Sequence, residues 1–132
     1  MKTLSGNMRF ERGQDPKSAM GIGMREKIKQ MMKEDEWWGS YNNNNNIAFN
    51  WASERGYTEI VKFLLKERVD VHNGHNFALR YASLNGHIEI IKLLLDAGAD
   101  VHAFDDQALQ WALEEDHTDI VELLKKYMKD EL

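Results

Sequence analysis

The sequence has no cysteine and no long apolar run, and each absence excludes a class of protein. Without cysteine there is no disulfide and no thiolate ligand for a metal, which fits a reducing compartment. No apolar segment approaches the roughly 18 residues that cross a bilayer, and residues 1–10 lack the apolar core of a secretory signal. We therefore expect a cytoplasmic protein that does not enter a membrane.

The last four residues, Lys129–Leu132, read KDEL, which is the signal for retention in the endoplasmic reticulum. The signal is read only in a chain that has been translocated into that lumen, and residues 1–10 show no signal for translocation. We interpret this KDEL as coincidental, the polar end of a last helix.

Catalytic patterns are also missing. No serine nucleophile stands with a placed histidine and aspartate, and no glycine spacing matches a P-loop or a dinucleotide fingerprint. An acidic cluster is expected to remain solvated, because it falls at the exposed end of a helical hairpin; it comprises Glu114, Glu115, Asp116 and Asp119. We predict no catalytic residue and no cofactor, so the chain is not expected to be an enzyme.

Five histidines raise the possibility of a metal site: His72, His75, His87, His102 and His117. Two pairs of them, His72 with His102 and His87 with His117, are spaced thirty residues apart in consecutive copies of an internal repeat. Equivalent residues of stacked copies lie roughly 10 Å apart, which one metal ion cannot bridge. We predict hydrogen bonds in turns for these side chains and no metal.

Charge divides the chain unevenly. Residues 1–45 carry eight Lys/Arg and six Asp/Glu, whereas residues 46–132 carry nine and sixteen, so the net charges are +2 and -7. An acidic surface repels nucleic acid, which argues against direct DNA or RNA binding by residues 46–132. A partner with a basic surface suits this part of the chain better.

The repeat has a period of thirty residues and two helical segments in each copy. In the second copy, Leu79, Ala82 and Ser83 share one face of a first helix, and Ile88 to Leu95 carry the apolar face of a second. Gly86 supplies the turn between them. Matching positions are Ala48, Ala78 and Ala108; Trp51, Tyr81 and Trp111; Ile60, Ile90 and Ile120; and Leu64, Leu94 and Leu124.

The stretch Asn85–Asp105, NGHIEIIKLLLDAGADVHAFD, resembles the ankyrin repeats, whose units of about 33 residues contain a β-turn and two antiparallel helices. The stretch Asn76–Ser83 looks like arrays common in large DNA viruses. The resemblance implies an all-α, ankyrin-like helical-hairpin solenoid that binds a partner protein with its concave side. The predicted units are 46–75, 76–105 and 106–132, behind an N-terminal segment and helical cap at 1–45.

Two positions depart from the family pattern. Arg68 stands where the second unit has Gly98, and Asp116 stands where it has the turn glycine Gly86. A left-handed conformation at Arg68 costs roughly 1 kcal/mol relative to glycine, so we expect the connection at Arg68 to have a different shape. Aspartate tolerates this conformation better, so the turn at Asp116 is expected to survive. The polar ending of the third unit is expected to serve as a C-terminal cap.

The N-terminal segment is predicted to cover the exposed side of the first unit. Asp15 and Pro16 indicate the start of a short helix that Gly21 and Gly23 should end, followed by a helix from Met24 to Trp37. Its apolar stripe consists of Met24, Ile28, Met31 and Met32. An alternative function is anion binding or catalysis by this segment through the basic residues Arg9, Arg12, Lys17 and Arg25.

The predicted binding surface centres on the aromatic residues Trp51, Tyr81 and Trp111. These rings should form a ladder across the first helices, either as core or as a recognition surface. By resemblance to the family, the first helices and loop tips line the side where partners dock. The flanking and tip residues are Asn50, Arg80, Gln110, Asn73, Gly74, Phe104 and Asp105, and Phe104 is expected to be exposed.

Three interpretations of function therefore remain at this point. The first is a protein-binding module, and the second is a viral or phage-type acidic inhibitor that occupies the basic groove of a nucleic-acid-processing or defence enzyme. The third is the anion-binding or enzymatic N-terminal segment. A homodimer is also compatible with such a short array.

Overall fold

The computed structural model of the protein describes residues 21–35 and 45–130. Across these residues the chain forms seven α-helices and no strand, which confirms the predicted all-α class. The chain divides into two compact units, Met1–Asn43 and Asn44–Leu132. No helix among the described residues is long and apolar enough to cross a bilayer.

The first unit contains helix α1, Gly21–Glu34. The predicted stop at Gly21 and Gly23 is wrong, since both residues lie within α1, and the helix ends three residues before Trp37. A glycine costs a helix only about 1 kcal/mol, which the rest of the segment outweighs. Within the predicted stripe, Ile28 and Met32 are buried. The short helix predicted from Asp15 lies outside the described residues, and capping by this unit remains a prediction.

The second unit consists of three helical hairpins. The first helices are α2 (Asn45–Arg55), α4 (Asn73–Asn85) and α6 (Ala103–Glu114), and they stack in that order. The second helices are α3 (Thr58–Lys66), α5 (Ile88–Asp96) and α7 (Thr118–Asp130), and they form a parallel row behind them. Hairpins of this kind bury their apolar faces by stacking, so the fold is the predicted solenoid.

The core follows the thirty-residue period. Leu64, Leu94 and Leu124 are at most 1% exposed, and the alanines that repeat on the first helices are fully buried. These small residues let neighbouring first helices approach closely, while the branched residues of the second helices fill the space behind them. The fully buried alanines are Ala48, Ala52, Ala78, Ala82, Ala108 and Ala112.

Tight turns join the two helices of each hairpin. Gly56 and Gly86 have φ of 85° and 82°, in the left-handed region, and Asp116 adopts a φ of 60° at the same position of the third hairpin. A Cβ atom on Gly56 would lie 2.6 Å from the ring of His87, and one on Gly86 would lie 2.9 Å from the ring of His117. The side chain of Asp116 is exposed.

Hydrogen bonds at equivalent positions tie the start of each of the first two hairpins to the loop that follows the same hairpin. The Asp70 amide donates to Asn46 Oδ1 at 3.1 Å, and the Asp100 amide donates to Asn76 Oδ1 at 2.9 Å. At the end of the array, Tyr127 Oη donates to Asp96 Oδ1 at 2.9 Å, which ties α7 to the preceding hairpin. Arg68 has a φ of 63° and Gly98 has one of 98°, so both lie in the left-handed region and the different conformation expected at Arg68 is not seen.

Candidate binding surface

The tips, which are the first residues of α4 and α6, have an unusual backbone. Gly74, His75 and Asn76 have φ of 64°, 57° and 62°, which is one turn of left-handed helix. Thirty residues later, the three residues from Phe104 to Asp106 repeat it with φ of 55°, 54° and 63°. The amide of the third residue closes each turn, as Asn76 donates to the His72 carbonyl at 3.0 Å. Left-handed residues other than glycine cost roughly 1–2 kcal/mol each, so other contacts must stabilise these tips.

Arg80 supplies those contacts at the first of the two turns. Its Nε donates to the His75 carbonyl at 3.0 Å, and its Nη2 donates to the Gly74 carbonyl at 3.0 Å. Nη1 donates to Gln107 Oε1 of the next hairpin at 2.6 Å. Burial lowers the pKa of Arg80, and the neighbouring Tyr81 raises it to a smaller extent. The guanidinium nonetheless stays charged, because arginine is not deprotonated in proteins.

Arg80 was predicted from the sequence to contact a partner, but its side chain is buried. Arg80 is only 8% exposed, and three of its five N–H groups are directed at the tip and at α6. It therefore supports the binding surface from below. Gln110 occupies the equivalent position in the third hairpin, where its Nε2 donates to the Asp105 carbonyl at 2.8 Å and its side chain remains exposed.

An aromatic row, which we define as Phe77, Tyr81 and Trp111, lies on the first helices. The rings of Phe77 and Tyr81 stack with centroids 4.1 Å apart and an interplanar angle of 18°. Tyr81 meets Trp111 edge to face at 5.1 Å and 73°. All three side chains are half-buried. The predicted ladder thus exists between α4 and α6, and Phe77 joins it although the sequence analysis did not include it.

Trp51, the third predicted ring of the ladder, has a different environment. Its side chain is fully buried, and its ring packs against Tyr57 with centroids 5.1 Å apart. A side chain without accessible surface cannot contact a partner, so Trp51 is a core residue and its assignment to the binding surface is wrong. Fully burying such a large ring stabilises the hairpin that carries it.

Phe104 is the residue that the tip turn presents most openly. It is 53% exposed, as expected from the sequence, and its ring covers the Arg80 guanidinium with 4.3 Å between Cζ and the ring centroid. The His75 ring lies beside the Phe104 ring, with centroids 5.1 Å apart. Asp105 beside it is exposed. Arg80 also lies 5.7 Å from the Tyr81 ring centroid, so its buried guanidinium links Phe104 to the aromatic row.

Asn50 and Asn73, two further predicted partner contacts, form a hydrogen bond with each other. Asn50 Nδ2 donates to Asn73 Oδ1 at 2.9 Å, and both side chains are half-buried. This bond joins α2 to the start of α4. Of the predicted tip residues, Gly74 is exposed and Asn73 is partly covered. A partner would meet the accessible edge of this pair.

The comparison with known protein families agrees with this architecture. A family model for ankyrin repeats in three copies matches residues 18–105. The chain belongs to the ankyrin-repeat family. No curated protein matches it. Its ankyrin repeat recurs every thirty residues, about three fewer than usual, and left-handed turns at Gly74–Asn76 and Phe104–Asp106 stand where the family carries its β-turn.

The histidines of these ankyrin repeats make the predicted turn hydrogen bonds. His87 Nε2 lies 3.0 Å from the Glu54 carbonyl, and His117 Nε2 lies 3.1 Å from the Leu84 carbonyl, so each ring reaches back to the preceding hairpin. His72 Nε2 instead reaches forward, to the Gly98 carbonyl after α5, at 2.9 Å. Over the part of the chain that the structure describes, no three acidic or histidine side chains form a group that could hold a metal.

Acidic side chains surround the exposed part of the third ankyrin unit. The segment 103–117 contains five carboxylates and no Lys or Arg. All of the predicted acidic cluster is exposed, and Asp106 lies 2.6 Å from His102 Nδ1. Of the basic residues proposed to bind an anion, Arg9, Arg12 and Lys17 lie outside the described residues, and Arg25 lies on α1. That site remains a prediction.

Proposed function

We propose that this ankyrin-repeat protein binds a partner protein through the aromatic row and the tip residues Phe104 and Asp105. Ankyrin repeats are generic protein-protein interaction modules. The observation that carries the proposal is the continuous run of ring contacts from Phe77 to Trp111, which stays half-exposed on the first helices. Large aromatic side chains are enriched at the centres of protein interfaces, because they bury much area with few rotatable bonds.

The rigid support beneath this surface favours binding over a purely structural role. Arg80 fixes the first left-handed tip through the Gly74 and His75 carbonyls, and its guanidinium lies under the ring of Phe104 from the second tip. A preorganised side chain loses less conformational entropy when a partner covers it. The surface can therefore contribute affinity without rearrangement of its backbone.

The charge around the surface favours a basic partner. Asp105 is exposed at the tip, and Glu114 is exposed at the other end of α6. Lysine or arginine side chains on a partner would complement these carboxylates, and they would accelerate association at low ionic strength. A homodimer through the same surface would bring like charges together, which makes it the less favourable arrangement.

Capture from the native cell with wild-type and variant protein tests the proposal. Tyr81→Ala with Phe104→Ala should lose at least tenfold of the captured partner in quantitative mass spectrometry, because two interface rings are removed. Lys62→Ala, on the outer face of α3, is the matched control and should retain it. If the surface variants fold, as judged by thermal unfolding, and still capture the same protein, the assigned surface is wrong.

A second candidate is an inhibitor that occupies the basic groove of a nucleic-acid-processing enzyme. The absence of Lys and Arg from residues 103–117 favours it, since this segment presents only negative charge. Its affinity should fall steeply as salt is raised from low to physiological concentration, because ion pairs would dominate the contact. A nearly salt-independent affinity would instead indicate that the aromatic row supplies the binding energy.

A further inference from the structure

The outer side of α6 is where the first helix of another repeat would stack. Ser53 and Ser83 occupy equivalent positions on α2 and α4, and both are fully buried. Leu113 occupies this position on α6 and is 50% exposed. Among the described residues, the third hairpin thus has a large, half-exposed apolar residue where the first two hairpins have a small buried one.

The residues around Leu113 show the same change. Phe49 and Leu79 are fully buried, but the equivalent Leu109 is partly exposed. Leu109 and Leu113 are four residues apart and therefore lie on one face of α6. We call the surface formed by Leu109, Gln110 and Leu113 the end face. It is separate from the aromatic row and carries two leucines that the array does not cover.

The outer side of α7 does not favour the stacking of a further second helix. Leu95 is 6% exposed on α5, whereas the equivalent residue of α7 is the exposed Lys125. Gly98 follows α5 in a left-handed conformation, but Met128 stands at the equivalent position and α7 continues to Asp130. A complete hairpin would bury a lysine here. A single helix that packs only on α6 avoids that cost.

Charge identifies the kind of helix that fits. Asp106 and Glu114 lie within one turn of the end face, and residues 103–117 contain no Lys or Arg. A second copy of the chain docked face to face would place these carboxylates against their own equivalents. A helix with lysines or arginines beside its apolar stripe would pair with them instead.

We propose that the end face binds one amphipathic helix of a partner, with its apolar stripe on Leu109 and Leu113 and its basic side chains beside Asp106 and Glu114. The helix stacks on α6 as α6 stacks on α4, so it continues the row of first helices by one member. The interaction adds a second site to the molecule and does not depend on the aromatic row.

A synthetic helical peptide of leucine and lysine, of roughly 14 residues or four turns, is a suitable probe. Titrated into isotope-labelled full-length protein, it should shift the methyl resonances of Leu109 and Leu113 first. Leu113→Ser, which restores the residue of the other two hairpins, should weaken binding about tenfold, because a buried leucine contact is lost. Leu123→Ser, a half-buried leucine elsewhere on α7, is the matched control and should change affinity less than twofold.

A peptide with glutamate in place of lysine should not bind, which tests the charge argument. The proposal is overturned if the lysine peptide shifts only Tyr81 and Trp111 and Leu113→Ser has no effect, an outcome that leaves the aromatic row intact as the binding surface. It is also overturned if the peptide binds nowhere. Sedimentation that detects a dimer lost in Leu113→Ser would assign the end face to a second copy of the chain.

Discussion

The second and third hairpins share the geometry of their tips and turns but differ in side-chain burial at equivalent positions. Arg80 is buried and its equivalent Gln110 is exposed, and the same holds for Leu95 and Lys125. Both hairpins nonetheless share the left-handed tip and the tight turn. The comparison indicates that the repeat period specifies the backbone of each hairpin. Whether another hairpin packs against a helix then decides which of its side chains are buried.

Truncation of Trp51 or Trp111 gives the largest expected effect and tests which of these two side chains belongs to the core. Trp51→Ala should lower the free energy of unfolding by about 4 kcal/mol, because it empties a fully buried site. Trp111→Ala removes a half-buried ring of the aromatic row and should cost about 2 kcal/mol. Urea unfolding followed by circular dichroism measures both. Equal losses would mean that Trp111 is as much a core residue as Trp51.

The turn glycine of the second hairpin offers the next test. Gly86→Asp should cost about 3 kcal/mol, since its Cβ would lie 2.9 Å from the His117 ring and displace that ring from the Leu84 carbonyl. Aspartate itself tolerates the left-handed backbone, as Asp116 shows with its φ of 60°. The reverse change, Asp116→Gly, should therefore alter stability by less than about 1 kcal/mol. A small loss in Gly86→Asp would indicate that the ring moves aside freely.

Replacement of Arg80 tests how the left-handed tip is held. Arg80→Leu should lower stability by about 2 kcal/mol, because the Gly74 and His75 carbonyls and Gln107 all lose a charged donor. Gln110→Leu removes one exposed bond at the equivalent position and should cost about 0.5 kcal/mol. Hydrogen exchange of the Asn76 amide provides a local readout. Unchanged exchange in Arg80→Leu would contradict a supporting role for this side chain.

The smallest effects concern the position that changes from serine to leucine. Ser83→Leu should cost about 1.5 kcal/mol, since it forces a larger side chain into a fully buried site between α4 and α6. Leu113→Ser should change stability by less than about 0.5 kcal/mol, because that site is half-exposed. Thermal unfolding of the two variants in parallel is sufficient. A clear loss in Leu113→Ser would mean that the end face is already covered.

Much of the fold could be predicted because it is periodic. Helical spacing of apolar residues, turn glycines and a thirty-residue repeat are local or regular features, and they identified the three hairpins and the buried leucines Leu64, Leu94 and Leu124. The start of α1 was less predictable. Gly21 and Gly23 signal a stop, but glycine propensity is a weak preference that a helix context overrides.

The candidate site was predicted in outline and corrected in detail. The aromatic offset indicated the contact between Tyr81 and Trp111 and the exposure of Phe104. Arg80 was misassigned because variability between units was interpreted as a binding signal, when Arg80 and Gln110 share a donor group directed at the same turn. That common donor, five residues after the middle of each tip, is the signal in the sequence that could have identified its role.

By itself the sequence determined the helices, the period and the family, since all three depend on residue spacing along the chain. The tertiary structure decided that Trp51 is core while Trp111 is partly surface, and that Ser83 is covered while Leu113 is not. Equivalent residues of the repeat occupy the same register on their helices, so the spacing along the chain does not distinguish their burial. Burial depends on what lies across the space next to a side chain, and that neighbour is set by stacking.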